Sequence, residues 1–262
     1  MIVCNEYMMK NDVNALYRRI TEAQHVVALT GAGVSTLSGI RDFRGKNGLY
    51  NDPMESPDAE KMFNIDYFEH DPSLYYAKAA AFIYNLNEKE PSIVHTVLGE
   101  LEKRGMLKAV ITQNIDMLHQ KGGSRKVIEV HGSAQTHYCQ RCAGVRMGFE
   151  EAAAIVRSGG MPQCPHCGRV LKPTITFFGE ALPADALREA AFEAQEADLM
   201  LILGTSLTVH PAAGLPNYTL RSGGELIIIN NQPTPLDRYA VMRLPELGPV
   251  FEGLREEIAH GS

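Results

Sequence analysis

The sequence of 262 residues lacks several features that mark whole classes of protein. No apolar run approaches the roughly 20 residues that a transmembrane helix needs, so no transmembrane helix is expected. The first twelve residues, MIVCNEYMMKND, lack the charged and then apolar pattern of a secretory signal peptide. The net charge is −6, which argues against a general nucleic-acid binder and against a protein bound to an anionic membrane surface. We therefore expect a cytoplasmic protein, monomeric, with no direct nucleic-acid partner and no membrane partner.

Cysteine is scarce as well, with five in the chain, and four of the five fall into two Cys-x-x-Cys pairs. The pairs are Cys139 with Cys142 and Cys164 with Cys167. Two such pairs, about twenty residues apart, predict four thiolates around one structural Zn²⁺ with no open coordination position. A redox dithiol and plain buried cysteines are the less favoured alternatives. His137 and His166 lie beside the pairs and are expected to be bystanders.

Short apolar strands alternate with helical patterns along most of the chain. Strands are predicted at residues 26–29, 108–112, 126–130, 173–179, 199–203 and 226–229, and helices at residues 11–24, 64–89, 92–104, 184–196 and 250–260. This alternation predicts an α/β fold with a doubly wound parallel sheet, in which helices cover both faces.

Five of these strands end in small or polar residues. The strand ends are GAG from Gly31, QNID from Gln113, HG from His131, GTS from Gly204 and NN from Asn230. Since ligands of such sheets bind beyond the carboxyl ends of the strands, the clustering predicts a binding site there. Asn114 and Asp116 can hold an amide or a ribose, and a histidine such as His131 titrates near neutral pH.

The first strand end, GAGVST at residues 31–36, is a partial dinucleotide-binding motif. Gly31 and Gly33 are expected to be free to take positive φ and to leave N–H groups open to a phosphate. Ser35 and Thr36 are good N-cap residues for a following turn or helix. Thr36 stands where the standard motif has its third glycine, so the motif alone is weak. A dinucleotide-binding loop alone also does not explain the acidic, aromatic and basic residues at positions 42–44.

Together these stretches resemble the sirtuins, NAD-dependent protein deacylases, in their compact bacterial and archaeal form. The matching runs are GAGVSTLSGIRDFRG, TQNIDMLHQKGG, VIEVHG, the four cysteines, FFGEALP, GTSLTVHPAA and IIINNQPTPLD, in family order from residue 26 to residue 237. The resemblance implies an NAD-dependent protein-lysine deacetylase that acts on acetyl-lysine proteins or peptides. Its products would be nicotinamide, free lysine and O-acetyl-ADP-ribose, and one zinc ion would be structural.

The family fold is a large Rossmann-like domain with a small domain inserted into it. By resemblance, the large domain would comprise residues 1–45, 90–132 and 173–262. The small domain would combine a helical module at residues 46–89 with a zinc module at residues 133–172. NAD and the peptide would meet in the cleft between the two domains.

The resemblance also assigns roles to individual residues. His131 would be the general base, and Asn114 would be the second catalytic residue. The expected NAD contacts are Gly31, Ala32, Gly33, Ser35, Thr36, Asp42, Phe43, Arg44, Gln113, Asn114, Ile115, Asp116, His131, Gly204, Thr205, Ser206, Asn230 and Asn231. The peptide would add as a strand between residues 176–179 and 208–210. Its expected contacts are Thr176, Phe178, Gly179, Glu180, Thr208, Val209 and His210.

Some residues depart from the family pattern. Arg41 stands where the family usually has proline, and Thr176 replaces an apolar residue near the acyl-lysine channel. Ala79 and Phe82 align with a Tyr and an Arg that bind acidic acyl groups in the desuccinylase branch. A succinyl carboxylate would therefore be buried without a cationic partner, and apolar acyl groups are expected to be preferred.

Two other functions stay open from sequence. A protein mono-ADP-ribosyltransferase would use the same cofactor and expel nicotinamide toward another acceptor. A zinc-ribbon binding module with a vestigial nucleotide site belongs to a different class, and the intact His131, Asn114 and Asp116 argue against it.

Overall fold

The computed structural model describes residues 2–42, 48, 61–81 and 83–260, with side chains from residue 10 onward. Its centre is a six-stranded parallel sheet, and a three-stranded antiparallel sheet lies apart from it. The strands are β1 (Val26–Thr30), β2 (Ala109–Thr112), β3 (Val127–Glu129), β4 (Thr136–Tyr138), β5 (Arg146–Gly148), β6 (Lys172–Pro173), β7 (Leu199–Leu203), β8 (Glu225–Ile229) and β9 (Ala240–Leu244). The large sheet has the order β3-β2-β1-β7-β8-β9. The order reverses between β1 and β7, and ligands of such sheets bind at that point.

Ten α-helices occur in the described part of the chain. They are α1 (Ile2–Glu22), α2 (Gly33–Thr36), α3 (Ile65–His70), α4 (Ser73–Ala79), α5 (Ile93–Lys103), α6 (Leu118–Lys121), α7 (Phe149–Arg157), α8 (Ala184–Glu196), α9 (Pro216–Arg221) and α10 (Leu247–His260). None of them combines the length and the apolar character that crossing a membrane would require.

Alternation along β1 shows why the sheet is covered on both faces. Val26 and Ala28 pack into a core formed with α1, α5 and α10, whereas Val27 and Leu29 pack into a second core that includes residues of α8. Successive side chains of a strand point to opposite faces, so an unbroken apolar run needs an apolar layer on each side. The α/β fold predicted from the sequence is confirmed.

A third core lies outside the two layers and is rich in aromatic rings. It joins the helical segment around α3 and α4 to the segment that carries β4, α7 and residues 175–177. The Phe68 and Phe177 rings meet edge to face with centroids 5.5 Å apart, and Tyr84 stacks on Phe149 at 5.9 Å. These contacts attach the helical segment around α3 and α4 to the segment that carries the antiparallel sheet.

The predicted strand at residues 173–179 was wrong apart from its first residue. β6 ends at Pro173, and the segment then continues without regular pairing except for one parallel bridge between Phe178 and Asn64. The backbone donors of this segment are used elsewhere, since the Thr176 N–H donates to the His131 carbonyl and the Phe177 N–H donates to the Glu180 carboxylate.

Other boundaries also differ from the predictions. α1 begins at residue 2 rather than at residue 11, and the sequence did not predict β9, α7 or α9. The predicted loop at residues 46–57 lies outside the described residues, apart from residue 48.

Candidate active site

One cavity of about 920 Å³ lies at the carboxyl ends of the strands and brings together all five predicted strand ends. The predicted site residues that line it are Gly31, Ala32, Gly33, Ser35, Thr36, Asp42, Gln113, Asn114, Ile115, Asp116, His131, Thr176, Phe178, Gly179, Glu180, Gly204, Thr205, Ser206, Val209, His210, Asn230 and Asn231. Thr208 does not line it, and its hydroxyl lies 2.8 Å from that of Ser206. Phe43 and Arg44 lie outside the described residues.

Gly31 and Gly33 are glycines for a reason that the sequence did not reveal. Neither has a positive φ, and their N–H groups donate to the carbonyls of Leu203 and Gly204 at 3.0 and 2.8 Å. A Cβ on Gly33 would lie 2.7 Å from Cα of Gly204, and one on Gly31 would lie 2.7 Å from Cβ of Thr205. The expectation of open N–H groups was wrong, because these glycines let the ends of β1 and β7 pack backbone against backbone.

A buried hydrogen-bond network connects the first strand end to the second. The Ser35 hydroxyl donates to the Asp116 carboxylate at 2.6 Å, and the Asn114 amide donates to the Ser35 hydroxyl at 3.0 Å and to the Gly31 carbonyl at 3.1 Å. Because both amide hydrogens of Asn114 are used inside the protein, its carbonyl oxygen is the group left to accept a hydrogen bond from a ligand. Ser35 and Thr36 lie within α2, whose N-cap residue is Ala32, so their predicted role as N-cap residues was wrong.

The His131 ring is held in one tautomer. Its Nδ1 lies 2.9 Å from the Gln113 carbonyl, which can only accept, so Nδ1 carries the proton and Nε2 keeps its lone pair. Burial lowers the pKa of His131, and the hydrogen bond to Gln113 opposes this shift. The imidazole is therefore neutral at neutral pH, which is the form that can take a proton.

The segment from Lys172 to Glu180 is held by a buried lysine. Lys172 is 1% exposed, and its ammonium contacts Glu180 Oε2 at 2.8 Å and the Ile175 carbonyl at 2.7 Å. Glu180 Oε2 also accepts the Phe177 N–H at 2.7 Å. Phe178 keeps both backbone groups paired, since its N–H donates to Phe63 and its carbonyl accepts from Ile65.

Sequence reasoning missed the apolar wall of the cavity. This wall comes from the third core, from α8 and the residues before it, and from the start of α10 and the residues before it. In the sequence its side chains look like ordinary core residues. The missed residues include Phe63, Ile83, Leu86, Ile175, Phe177, Leu182, Leu187, Pro245 and Leu247. Ala79, placed by resemblance near the acyl group, is instead fully buried in the third core, and Phe82 lies outside the described residues.

The four cysteines converge on one point, as their spacing predicts. Their sulfur atoms all lie within 4.8 Å of one another, and Cys139 and Cys167 are 3.6 Å apart. Tetrahedral thiolates at a Zn–S distance of about 2.3 Å would be about 3.8 Å apart, so the four are positioned to hold a zinc ion. The Cys142 N–H donates to Cys139 Sγ at 3.2 Å, and this bond is the largest of several hydrogen bonds that together lower the pKa of the Cys139 thiol to about 6. His137 is not in the cluster and contacts the Tyr84 hydroxyl instead.

Comparison with known proteins decides the family. The model of the Sir2 family matches residues 31–211. This range includes the first four of the five strand ends and the whole cysteine cluster. The chain belongs to the Sir2 family. The resemblance seen in the sequence is therefore confirmed.

Curated relatives of this Sir2 protein cover most of its length. The NAD-dependent protein deacetylase of Thermotoga maritima is 45% identical over 224 residues, covering 86% of this chain and 89% of that protein. The NAD-dependent protein deacylase 2 of Archaeoglobus fulgidus is 36% identical over 255 residues, covering 95% of this chain and 97% of its own.

Solved Sir2 structures share the same fold. A Sir2 histidine-to-alanine variant with a deacetylated p53 peptide and 3′-O-acetyl-ADP-ribose has a TM-score of 0.86 at 41% identity, covering 95% of this chain and 98% of its own. A Sir2 protein bound to a propionylated peptide has a TM-score of 0.83 at 40% identity, with the same coverage.

Proposed function

We propose that this chain is an NAD-dependent protein-lysine deacetylase, which transfers the acetyl group of a lysine to ADP-ribose. The observation that carries the proposal is His131, a neutral imidazole with its Nε2 lone pair available, on the wall of a cavity lined by five strand ends. The relatives named as NAD-dependent protein deacetylases support the same reaction.

NAD would be held by the strand-end residues. The polar groups of Ser35, Asn114 and Asp116 on one side and Thr205 and Asn230 on the other suit a ligand rich in hydroxyl, amide and phosphate groups. When bound, NAD supplies a glycosidic bond to nicotinamide that can be cleaved and an ADP-ribose that can accept an acyl group. Phe43 and Arg44 would complete the site from the segment that follows residue 42.

His131 would act as the base of the acyl transfer. Its Nε2 would accept the proton of a ribose hydroxyl, which would prepare that oxygen to receive the acyl group as the bond between the acyl carbon and the lysine nitrogen breaks. The Gln113 carbonyl holds Nδ1–H and stabilises the imidazolium that forms. Asn114 assists by presenting its carbonyl oxygen as an acceptor, which can orient the ribose.

The acyl-lysine peptide would lie between residues 176–179 and 208–210. Phe178 already uses both backbone groups toward Phe63 and Ile65, so Gly179 is the neighbour that would offer backbone groups to an added strand. The remaining contacts would come from Thr176, Glu180, Val209 and His210, with Thr208 acting indirectly through Ser206.

The chain would divide into two domains as the family resemblance implies. Residues 46–89 and 133–172 would form the small domain, and the remaining residues would form the large domain. The third core, which joins residues 62–86 to residues 134–177, supports this division. We also propose that the protein is a monomer.

The acyl preference is proposed from the cavity lining. Arg41 is the one lysine or arginine among the described lining residues, and the third-core side of the cavity is apolar. Acetyl and other apolar acyl groups should therefore react faster than succinyl, whose carboxylate would be buried against apolar third-core side chains such as Phe63, Ile175 and Phe177. We expect kcat/KM for a succinyl peptide to be at least about tenfold below that of an acetyl peptide of identical sequence, with a butyryl peptide as the neutral control. A faster succinyl reaction would contradict this preference.

One assay tests the function and separates its alternatives. The protein is incubated with NAD and an acetyl-lysine peptide, and the products are analysed by mass spectrometry. O-acetyl-ADP-ribose with deacetylated peptide supports the proposal. ADP-ribosylated protein or peptide would indicate a mono-ADP-ribosyltransferase, and unchanged reactants would indicate a binding module.

A further inference from the structure

Two fully buried histidines lie behind the strand ends and line no part of the cavity. His95 belongs to α5 and His119 to α6, and the two are 0% and 1% exposed. Their ring centroids are 4.6 Å apart. Each ring has one nitrogen with no hydrogen-bond partner among the described residues, Nε2 of His95 and Nδ1 of His119. Unpartnered buried polar atoms are costly, so such a pair calls for an explanation.

The proton on His119 can be placed from its neighbours. The Thr30 hydroxyl donates its single hydrogen to the Thr112 hydroxyl at 2.8 Å. The contact of 2.9 Å between Thr30 Oγ1 and His119 Nε2 must then have the ring as donor. Burial lowers the pKa of His119 well below its usual value, so the ring is neutral and its Nδ1 is a bare acceptor.

His95 packs against His119 and is held from its other side by Ser92. Its Nδ1 lies 3.0 Å from the Ser92 backbone nitrogen and 2.8 Å from Ser92 Oγ, and the Ser92 hydroxyl donates to the Val34 carbonyl at 3.0 Å. Burial lowers the pKa of His95 to about 4, so this ring is also neutral. Nε2 of His95 and Nδ1 of His119 make no hydrogen bond to each other, so the two rings meet through packing.

Thr112 connects these hydrogen bonds to His131. Thr112 Oγ1 accepts the Asn114 N–H at 3.1 Å, and the Gln113 carbonyl accepts the His131 Nδ1–H at 2.9 Å. That N–H and that carbonyl belong to one peptide group, the one between Gln113 and Asn114. Hydrogen bonds in such chains polarise one another, so fixing the N–H side also fixes and strengthens the carbonyl side.

We propose that His119 is a positioning residue for His131, resting on the function proposed above. A hydrogen-bonded chain runs from His119 through Thr30 and Thr112 to the peptide group that holds His131. His95 packs against the His119 ring and restricts its movement. The chain thereby keeps His131 in the tautomer whose Nε2 can act as a base.

The tautomers can be read without any enzymatic assay. We would record ¹⁵N chemical shifts of the histidine rings by NMR at neutral pH, and assign them with single His→Gln substitutions at residues 95, 119 and 131. Protonated Nε2 on His119 and protonated Nδ1 on His131 are expected. Protonated Nδ1 on His119 would overturn the proposal, even if the protein proves to be an active deacetylase.

Substitution of Thr30 tests the effect on catalysis. Thr30→Val keeps the shape of the side chain but interrupts the chain, so His131 should populate a mixture of tautomers. The value of kcat should fall about tenfold while KM for the acetyl peptide changes less than twofold, the loss expected for one buried hydrogen bond. Thr30→Ser restores the hydroxyl and should restore both the single tautomer and kcat.

A matched control separates positioning from stability. Thr219 is equally buried, and its hydroxyl donates to the Ala194 carbonyl in α8, away from the chain. Thr219→Val should leave the His131 tautomer and kcat unchanged. A folded Thr30→Val variant with wild-type kcat and a wild-type His131 signal would contradict the proposal. If Thr30→Val does not fold, Thr112→Val makes the same test at the next position, with the same two readings.

Discussion

His131 has the properties of a base because one of its two ring nitrogens is committed to the backbone. The Gln113 carbonyl holds Nδ1–H at 2.9 Å, and burial keeps the ring neutral. A histidine directly after a buried strand could be recognised in the sequence, whereas its tautomer could not. The tautomer depends on where the Gln113 carbonyl points, which is a property of the folded strand end.

Replacement of His131 by alanine should abolish turnover. Removing a general base costs about 10²–10⁴-fold in rate, so deacetylation by His131→Ala should fall by at least 100-fold while the zinc content is unchanged. The rate is measured by chromatography of the deacetylated peptide. His70→Ala, which removes an exposed histidine at the end of α3, serves as the control. Near-normal activity of a folded His131→Ala variant would show that His131 is not the base.

The pKa of His131 also predicts the acid limb of the pH profile. The base must be unprotonated to act, and burial lowers its pKa below the usual value of about 6.5. The value of kcat/KM should therefore be constant near neutral pH and fall as the pH decreases through a pKa below about 6.5. A midpoint above that value in a steady-state pH series would mean that the folded protein stabilises the protonated ring.

At the scale of elements, the sequence predicted regular structure well and irregular structure poorly. The apolar runs of β1 and β7 and the pattern of α8 are local signals, and their predicted positions match the structure closely. The segment after β6 could not be predicted, because it is held by Lys172 and Glu180, which lie eight residues apart in sequence and belong to no periodic pattern.

Some residues at the strand ends have backbone conformations that could not be predicted from the sequence. Met117 and Leu207 have φ of 63° and 53°, in the left-handed region that glycine favours, and each follows a strand end at the cavity. The glycines of GAG, by contrast, have no positive φ. These positions are glycine because the ends of β1 and β7 lie in close contact. Since β7 lies about 170 residues from β1 in sequence, this reason could not be read from the local sequence.

The lysine that holds the segment after β6 gives a prediction for stability. Lys172→Met would leave the Glu180 carboxylate and two backbone carbonyls without their buried cation, which should lower the free energy of unfolding by about 3 kcal/mol. Urea unfolding followed by circular dichroism measures this. The exposed Lys108→Met should change stability little, and adding Glu180→Gln to Lys172→Met should recover part of the loss. A Lys172→Met variant as stable as the wild type would contradict this account of the segment.

At the scale of the whole molecule, two structural units meet at the active site. The doubly wound sheet supplies the strand ends. The aromatic third core supplies much of the apolar wall, including Ile175 and Phe177. The cysteine cluster lies on the second unit, next to β4 and β6, which pair with each other. None of the four cysteines lines the cavity, so we expect the cluster to maintain the shape of this unit.

Loss of one zinc ligand should thus act through folding. Cys139→Ser removes a thiolate whose replacement by a hydroxyl weakens zinc binding, and we expect loss of the bound metal together with loss of stability. Metal content by mass spectrometry and thermal unfolding measure the two effects. Cys4→Ser, at the cysteine outside the two pairs, should retain both. Full metal content in a stable Cys139→Ser protein would exclude the four-cysteine site.

The central claim is that the cavity couples NAD cleavage to acyl transfer through His131. The most direct measurement follows nicotinamide, deacetylated peptide and O-acetyl-ADP-ribose together during one reaction with NAD and an acetyl-lysine peptide. The account predicts equal amounts of the three products from the wild-type protein and no detectable O-acetyl-ADP-ribose from folded His131→Ala. Deacetylated peptide accompanied by free acetate, or O-acetyl-ADP-ribose formed at the wild-type rate without His131, would contradict it.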